Sequence, residues 1–291
     1  MLDVFFSTYS MTGSPHLLNV QVRGDGYPIL CLHGHPGSAN NMSVFTQHLS
    51  QQFQTLAPDL RGYGNSKASQ DFVMADHLVD LEALLDRFEI SRCLVLGWSL
   101  GGILATELAL RLPERVSGLI LVATAARPRG SHPPISWQDN LLTGVAALVN
   151  WVQPGWQPNI ELFGKRSLFR HLIQQHTAEA YRYIGDAAVP AYFQTSAAAD
   201  RALNQALRAG YNRLPDLPQI HVPCLMLAGE CDRHITAASS QETAQALPNC
   251  EWQCYPSTAH LFPWEIPQQV LADVDRWIGA HPDAVGRPTN R

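Results

Sequence analysis

The chain has 291 residues, of which 46% are hydrophobic and 15% charged, and its formal net charge is −5 at pH 7. This composition is typical of a globular protein with a large buried core, and it excludes a disordered chain. The small negative charge argues against a nucleic-acid partner, and six cysteines in a chain of this length are too few for a disulfide scaffold.

Residues 1–12 lack the basic patch and the apolar core of a signal peptide. No apolar run reaches the roughly 20 residues that a membrane span requires. We therefore expect a cytoplasmic protein with reduced cysteines and no membrane partner. The sequence does not indicate an oligomeric state.

Short apolar runs alternate with amphipathic stretches, and this alternation predicts an α/β fold with a parallel sheet and helices on both faces. In chain order, strands are expected at residues 29–32, 55–58, 93–96, 116–123, 224–228 and 252–255. Helices are expected at residues 41–53, 76–88, 100–112, 237–247 and 267–278.

The alternation stops between residues 126 and 217, where Pro, Trp, Arg and helical patterns dominate and no strand pattern is found. This stretch is far longer than an ordinary loop. We predict a core domain built from residues 1–125 and 218–281 and a helical cap inserted at residues 126–217. The polar residues 282–291 are expected to form a flexible tail.

The sharpest functional signal is Gly-Trp-Ser-Leu-Gly-Gly at residues 97–102, between a predicted strand and a predicted helix. A nucleophilic serine must leave the strand in a tight, strained turn, and glycines on either side remove Cβ atoms that would clash there. Ser99 is therefore the predicted nucleophile. Because Leu100 would begin the helix, its backbone N–H is expected to help bind an oxyanion.

A serine hydroxyl needs a base, and His260 lies directly after the last predicted strand. Asp232 follows the preceding predicted strand, which gives the chain order Ser, Asp, His that such a fold requires. Glu230, two residues nearer that strand, is the alternative acid. The strand that ends at residue 123 is followed by no carboxylate, so the loop of Asp232 is the expected source of the acid.

A second oxyanion donor is expected in His-Gly-His-Pro-Gly at residues 33–37, from the backbone N–H of His35. His33 and His35 could instead form a metal pair, but no third ligand lies at metal spacing, so no metal is predicted. The carboxylate and glycines of residues 59–66 are expected to shape the neighbouring loop, with a direct catalytic role as the alternative.

Together, residues 33–37, 59–66 and 97–102 with Asp232 and His260 resemble the α/β-hydrolase superfamily. Within it, the match is to the group of proline iminopeptidases, esterases, lactonases, C–C hydrolases and cofactor-free perhydrolases. The resemblance covers about residues 24–280, and the insertion matches the helical cap of that group in position only. It implies an α/β-hydrolase fold, a Ser-His-Asp triad and no cofactor.

Residues at and next to the nucleophile disfavour several groups of this superfamily. Epoxide hydrolases and haloalkane dehalogenases carry Asp as nucleophile, where this chain has Ser99. Proline iminopeptidases usually have Trp after the nucleophile, and C–C hydrolases often have Asn or Gly before it, whereas Trp98 precedes the serine here. The string Gly-Trp-Ser-Leu-Gly-Gly is similar to that of carboxylesterases acting on pimeloyl-carrier-protein methyl ester.

These features favour a carboxylesterase-like serine hydrolase that cleaves an ester, thioester or amide of a small, partly apolar substrate. A C–C bond hydrolase or lyase, a proline iminopeptidase-like aminopeptidase and a non-catalytic binding protein of the same fold are the alternatives. Trp98 and Phe262 flank the predicted nucleophile and base, and both are candidate substrate-binding residues.

The predicted cap carries excess positive charge: residues 126–214 contain nine Lys and Arg against five Asp and Glu. Lys165, Arg166 and Arg170 could attract an acidic or carrier-bound acyl substrate, or form a solvated helix face. Nine aromatic side chains there could line an apolar cleft or pack the cap onto the core. They are Trp137, Trp151, Trp156, Phe163, Phe169, Tyr181, Tyr183, Tyr192 and Phe193.

Overall fold

The computed structural model describes residues 14–286, which contain a seven-stranded sheet in the order β1-β3-β2-β4-β5-β6-β7. The strands are β1 Val20–Arg23, β2 Pro28–Leu32, β3 Gln54–Pro58, β4 Cys93–Trp98, β5 Val116–Val122, β6 Cys224–Gly229 and β7 Cys250–Tyr255. Strands β2 to β7 pair in parallel, and β1 pairs antiparallel with β3. The predicted α/β class with a mostly parallel sheet is confirmed.

The helices are α1 Ser43–Leu49, α2 Met74–Arg87, α3 Leu100–Arg111, α4 Trp137–Val152, α5 Gln157–Leu162, α6 Phe169–Leu172, α7 Ala178–Tyr183, α8 Val189–Gln194, α9 Ala197–Arg208, α10 Ala237–Ala246, α11 Phe262–Glu265 and α12 Pro267–Ala280. None of the helices within residues 14–286 has the length and apolar character that crossing a membrane requires.

The sheet separates two hydrophobic cores because successive side chains of a strand point to opposite faces. In β2, Leu30 and Leu32 pack in the core with α2, α3 and α10, while Ile29 and Cys31 pack in the core with α1 and α12. Burial on both faces explains why the central strands read as continuous apolar runs in the sequence.

Two elements differ from the prediction at the amino-terminal side of the sheet. Strand β1 was not predicted, because a short edge strand whose Val22 is exposed carries little hydrophobic pattern. The helix expected at residues 41–53 is shorter: it consists of a 3-10 turn, Ala39–Met42, followed by α1. Residues 50–53 turn instead, since the chain must reverse before Gln54 can enter β3.

Between β5 and β6 the described chain forms the six helices α4 to α9 and no strand. The two ends of this segment meet, because the backbone N–H of Arg213 donates to the carbonyl of Ala126 at 2.8 Å. The guanidinium of Arg213 also pairs with Glu107 of α3 at 2.7 Å, which fixes the returning end on the sheet domain. We call residues 126–217 the insertion.

The carboxyl-terminal residues are folded further than expected. Pro282–Val285 form a 3-10 turn in which Ala284 and Val285 are buried. The hydroxyl of Ser117 donates to the carbonyl of Ala284 at 2.7 Å, which ties this turn to β5. The flexible tail predicted to begin at residue 282 is thus ordered at its start, and residues 287–291 lie outside the described chain.

Candidate active site

Ser99 occupies a strained turn between β4 and α3. Its φ of 54° and ψ of −115° lie in a region that residues with a Cβ rarely adopt. Two hydrogen bonds hold the turn: the Ser99 N–H donates to the carbonyl of Val122 at 2.9 Å, and the Thr124 hydroxyl donates to the Ser99 carbonyl at 2.8 Å. The turn therefore presents the Ser99 hydroxyl at the carboxyl end of the central strands.

Two of the flanking glycines are required by close backbone approach. A Cβ on Gly97 would overlap the carbonyl of Gly101, and a Cβ on Gly101 would overlap the carbonyl of Leu32 at the end of β2. Backbone atoms cannot rotate away as a side chain can, so the contacts leave no room for a methyl group. The glycine spacing recognised in the sequence thus reflects steric contacts across the turn and with the end of β2.

Replacing Gly101 by alanine is expected to lower the free energy of unfolding by about 1–3 kcal/mol or more, because the new methyl group must displace the end of β2. Gly144→Ala is the matched control: Gly144 also lies in a helix, α4, but a Cβ there would meet no atom within 4 Å. That change is expected to stabilise by about 0.5–1 kcal/mol, since alanine is the better helix former. Chemical denaturation of both variants measures the difference, and equal effects would contradict the steric argument.

His260 and Asp232 meet Ser99 from two other strand ends. His260, after β7, has its Nε2 3.2 Å from the Ser99 Oγ and its Nδ1 2.7 Å from the Asp232 Oδ2. All three side chains are at most 5% exposed. The structure therefore brings the three predicted residues into one hydrogen-bonded row, with the imidazole between hydroxyl and carboxylate.

Backbone N–H groups of its own loop orient Asp232 toward His260, whereas Glu230 binds a different backbone group. The Oδ1 of Asp232 accepts backbone N–H bonds from His234 at 2.7 Å and Ile235 at 3.0 Å, which leaves Oδ2 for His260. Glu230 is exposed, and its carboxylate accepts the backbone N–H of Ser257 at 3.1 Å. Of the two acids considered from the sequence, only Asp232 hydrogen bonds to the imidazole.

Glu265 is a buried residue at this site that sequence reasoning missed. One oxygen accepts the N–H of Ala259 at 2.9 Å, next to His260, and the other accepts the N–H groups of Gln174 and Gln175 in the insertion. Burial raises the pKa of this carboxyl group. Glu265 thus links the loop of His260 to the insertion, and nothing in its local sequence signals a contact with residues 90 and 91 positions away.

The loop after β2 lies on the other side of Ser99. The His35 side chain is held between the Tyr63 hydroxyl, 2.8 Å from its Nδ1, and Asp200 of α9, 3.2 Å from its Nε2. His35 and Leu100 both line the cavity that contains Ser99. Leu100 is the first residue of α3, so its N–H has no acceptor within the helix.

His33 has a structural role in this loop. Its Nδ1 donates to the Gly34 carbonyl at 2.7 Å, and its Nε2 accepts the N–H of Leu60 at 3.1 Å. Burial lowers the pKa of His33 to about 4, so the ring is neutral. With both nitrogens occupied, His33 is not available to a metal, and no group of three or more metal-ligating side chains is found within residues 14–286.

The carboxylate of Asp59 also accepts hydrogen bonds from backbone N–H groups. Its two oxygens accept the N–H of Ala39 at 2.7 Å and of Asn65 at 2.9 Å, together with the side-chain amide of Asn19. These bonds join the residue before β1, the turn after β2 and the loop after β3. The contacts agree with the structural interpretation of residues 59–66.

A cavity of about 460 Å³ opens beside Ser99, between the sheet domain and α9. Leu203 and Leu207 of α9 form its apolar wall together with Ile103, and Arg127, His132, His234 and Asn212 contribute polar groups. Of the aromatic side chains in the insertion only Tyr211 lines it, and none of the nine singled out from the sequence does. No pattern in the sequence predicted that α9 would line the cavity of Ser99.

Trp98 and Phe262 do not line this cavity either. The Trp98 ring packs against the His260 ring, with 5.6 Å between ring centroids, and edge-on against Trp264, with 4.8 Å between centroids. Phe262 is fully buried and packs against Tyr255 at 5.2 Å. Both side chains pack close to the base, and the substrate contact expected from the sequence stays a prediction.

Residues 27–267 match the family model described as the alpha/beta hydrolase fold. The chain belongs to this family. The hydrolase is 28% identical over 266 residues to a pimeloyl-[acyl-carrier protein] methyl ester esterase of Nitrosomonas europaea, covering 89% of this chain and 98% of that protein. It is 26% identical over 254 residues to the esterase of the same name from Vibrio atlanticus, covering 82% and 89%.

Solved structures of the same fold include an esterase from Thermogutta terrifontis, with a TM-score of 0.67 and 23% identity over 90% of this hydrolase and 93% of that chain. An enol-lactonase from Burkholderia xenovorans LB400 has a TM-score of 0.69 and 20% identity, covering 90% and 96%. At these identities the likeness establishes the fold, which agrees with the expectation from the motifs.

The basic residues singled out in the insertion lie away from the hydrolase cavity. Lys165 pairs with Glu161 at 2.7 Å, and Arg170 pairs with Asp139 at 2.7 Å. Neither of them, nor Arg166, lines the cavity. Two of the three charges are therefore balanced by a carboxylate on the same surface.

Proposed function

We propose that this protein hydrolyses carboxylic esters by acyl transfer to Ser99, with His260 as general base and acid and Asp232 as the group that orients His260. The family match and the esterase relatives make it an α/β-fold serine hydrolase of the esterase type (EC 3.1.1). The observation that supports the assignment of residues most directly is the row of hydrogen bonds from Ser99 through His260 to Asp232 at the edge of a cavity.

The reaction has two steps, acylation of Ser99 and hydrolysis of the acyl-enzyme. His260 Nε2 takes the proton of the Ser99 hydroxyl as Oγ attacks the ester carbonyl, and the tetrahedral intermediate then expels the alcohol, which receives that proton. Water enters, gives its proton to His260 and attacks the acyl-enzyme, and the carboxylic acid leaves as Ser99 regains its proton. Asp232 keeps the proton of His260 on Nδ1, so that Nε2 can accept.

The oxyanion of each tetrahedral intermediate would be bound by the backbone N–H groups of Leu100 and His35. The N–H of Leu100 lies at the positive end of the α3 dipole, and both residues line the cavity beside Ser99. Because these donors are fixed by the backbone, they need no reorganisation when charge develops on the carbonyl oxygen.

The insertion would act as a cap that closes the cavity and selects the substrate. Its helix α9 supplies Leu203 and Leu207 to the apolar wall. We extend the proposal to a small, partly apolar acyl group, free or attached to a carrier. The carrier-bound form is suggested by the relatives named as pimeloyl-[acyl-carrier protein] methyl ester esterases.

A substrate panel tests this function with one enzyme preparation. It should contain 4-nitrophenyl esters of increasing chain length, an acyl thioester, a carrier-linked acyl methyl ester, a proline amide and a vinylogous diketone. We expect turnover of esters and of thioesters, with kcat/KM for esters at least about 100-fold above that for the amide. Turnover of the diketone alone would support C–C cleavage, and preference for the proline amide an aminopeptidase. Failure of all substrates and of a fluorophosphonate probe would indicate a non-catalytic protein.

A further inference from the structure

Four histidine rings, beginning with His260, are each in contact with the next. The ring of His234 is centred 4.8 Å from that of His260, the ring of His132 5.4 Å from His234, and the ring of His171 5.6 Å from His132. The proposed reaction uses only His260. The middle two rings, His132 and His234, line the cavity that contains Ser99.

These two rings are held together by direct contact and by their backbones. The Nε2 of His132 lies 3.2 Å from the Nδ1 of His234, so one of these nitrogens donates to the other. The segments that carry them are paired as well: Ser131 N–H donates to the Arg233 carbonyl at 2.8 Å and Thr236 N–H to the Arg129 carbonyl at 2.9 Å. We call His132 and His234 the histidine pair.

The outer nitrogens of the pair, those outside the shared hydrogen bond, are His132 Nδ1 and His234 Nε2. Within residues 14–286 no protein group hydrogen bonds to either of them. When the pair is neutral, its shared hydrogen bond makes one outer nitrogen a donor and the other an acceptor. When the pair takes up one proton, both outer nitrogens become donors and the pair carries one positive charge.

The other described residues that line the cavity add no negative charge beside the histidine pair. Among the described residues that line it there is no aspartate or glutamate. Arg127 lines it too, although this guanidinium is paired with Glu242. The polar groups that line the cavity thus offer hydrogen-bond donors without a competing carboxylate, in the same cavity as the leucines of α9.

We propose that the histidine pair is an anion subsite and that the preferred ester carries a carboxylate on its acyl group, as a short-chain dicarboxylic acid monoester does. This inference rests on the proposed esterase function. The carboxylate would lie against the pair while the ester carbonyl lies at Ser99. The apolar wall formed by Leu203 and Leu207 would cover the methylene groups between them.

Binding of such an ester is coupled to proton uptake. Burial and the neighbouring His260 lower the pKa of His234, and burial lowers that of His132, so the unliganded pair is neutral near pH 7. A carboxylate in contact raises both pKa values, so the bound pair gains a proton and affinity falls as the pH rises through the new pKa. The charged and titratable groups that face the pair are Asp232, His260, Arg233, His35 and His171.

The test compares the 4-nitrophenyl monoester of glutaric acid with its neutral counterpart, in which the free carboxylate is an amide. For the wild type, kcat/KM for the anionic ester is expected to exceed that for the amide by at least about tenfold. The ratio should fall to near one in His132→Gln and His234→Gln. His221→Gln, an exposed histidine that does not line the cavity, is the matched control and should keep the wild-type ratio.

A binding measurement separates this proposal from the esterase function. Monomethyl glutarate is titrated into the Ser99→Ala variant in two buffers of different ionisation enthalpy, which reports protons taken up. Uptake approaching one proton at pH 7, lost when His132→Gln is added, supports the subsite even if no ester is turned over. An unchanged ratio in both histidine variants, or binding without proton uptake, would overturn it.

Discussion

Replacing Ser99 by alanine is expected to lower kcat for an ester substrate by at least about 10⁴-fold. The hydroxyl oxygen is the atom that forms the acyl-enzyme, and alanine removes this hydroxyl from its position 3.2 Å from His260 Nε2. Any rate of the variant above that of the uncatalysed reaction in water would come from the oxyanion donors and from substrate binding alone. Steady-state kinetics on a 4-nitrophenyl ester, with the same variant tested against a fluorophosphonate probe, measure this loss.

The fold should be unaffected by this change. The turn is held by backbone groups, the N–H and the carbonyl of Ser99, which alanine retains. Thermal melting of Ser99→Ala should therefore match that of the wild type. Ser131→Ala serves as the matched serine control, since Ser131 is exposed on a nearby loop and should keep full activity. Full activity of Ser99→Ala with an unchanged fold would rule out the proposed mechanism.

Asp232→Asn is expected to lower kcat by about 10⁴-fold while leaving the geometry nearly intact. Two backbone N–H groups, from His234 and Ile235, require an oxygen at the Oδ1 position, so the new amide would turn its NH₂ group toward His260. That NH₂ group donates to Nδ1 and moves the imidazole proton to Nε2. A protonated Nε2 cannot accept the proton of Ser99.

Glu230→Gln is the control that separates the two acids. Glu230 is exposed and, among residues 14–286, its carboxylate accepts the N–H of Ser257 alone, a bond that the glutamine oxygen can keep. We expect kcat within about threefold of the wild type, as for surface changes that leave contacts intact. The pH–rate profile and kcat of both variants provide the comparison. A large loss in Glu230→Gln with a small one in Asp232→Asn would reverse the assignment of the acid.

The sheet was predictable because its central strands are buried on both faces. Strands β4 and β5 read as unbroken apolar runs, and their ends were predicted to within two residues. Strand β1 was missed because half of its residues face solvent and it has a neighbour on one side only. The start of the carboxyl-terminal turn was missed because its burial depends on a contact with Ser117, far away in the chain.

The nucleophile could be predicted because its signal is local. The turn at Ser99 and the glycines around it lie within six residues, and the steric reason for Gly97 acts across that same turn, although Gly101 is required by the end of β2. His260 followed from its place after the last strand. The sequence left both Asp232 and Glu230 as candidates for the acid. The direction of each side chain depends on hydrogen bonds with backbone N–H groups of the surrounding loops, which the sequence does not show.

What the sequence determined by itself is the α/β architecture, the family and the serine at the turn, because short-range periodicity and glycine spacing encode them. Only the tertiary structure decided which carboxylate meets His260, how Glu265 joins the base loop to the insertion, and that His132 and His234 share one cavity with Ser99. The contacts of Glu265 with Gln174 and of His132 with His234 join residues 91 and 102 positions apart, so their distances depend on how the insertion packs on the sheet. No local pattern carries that information.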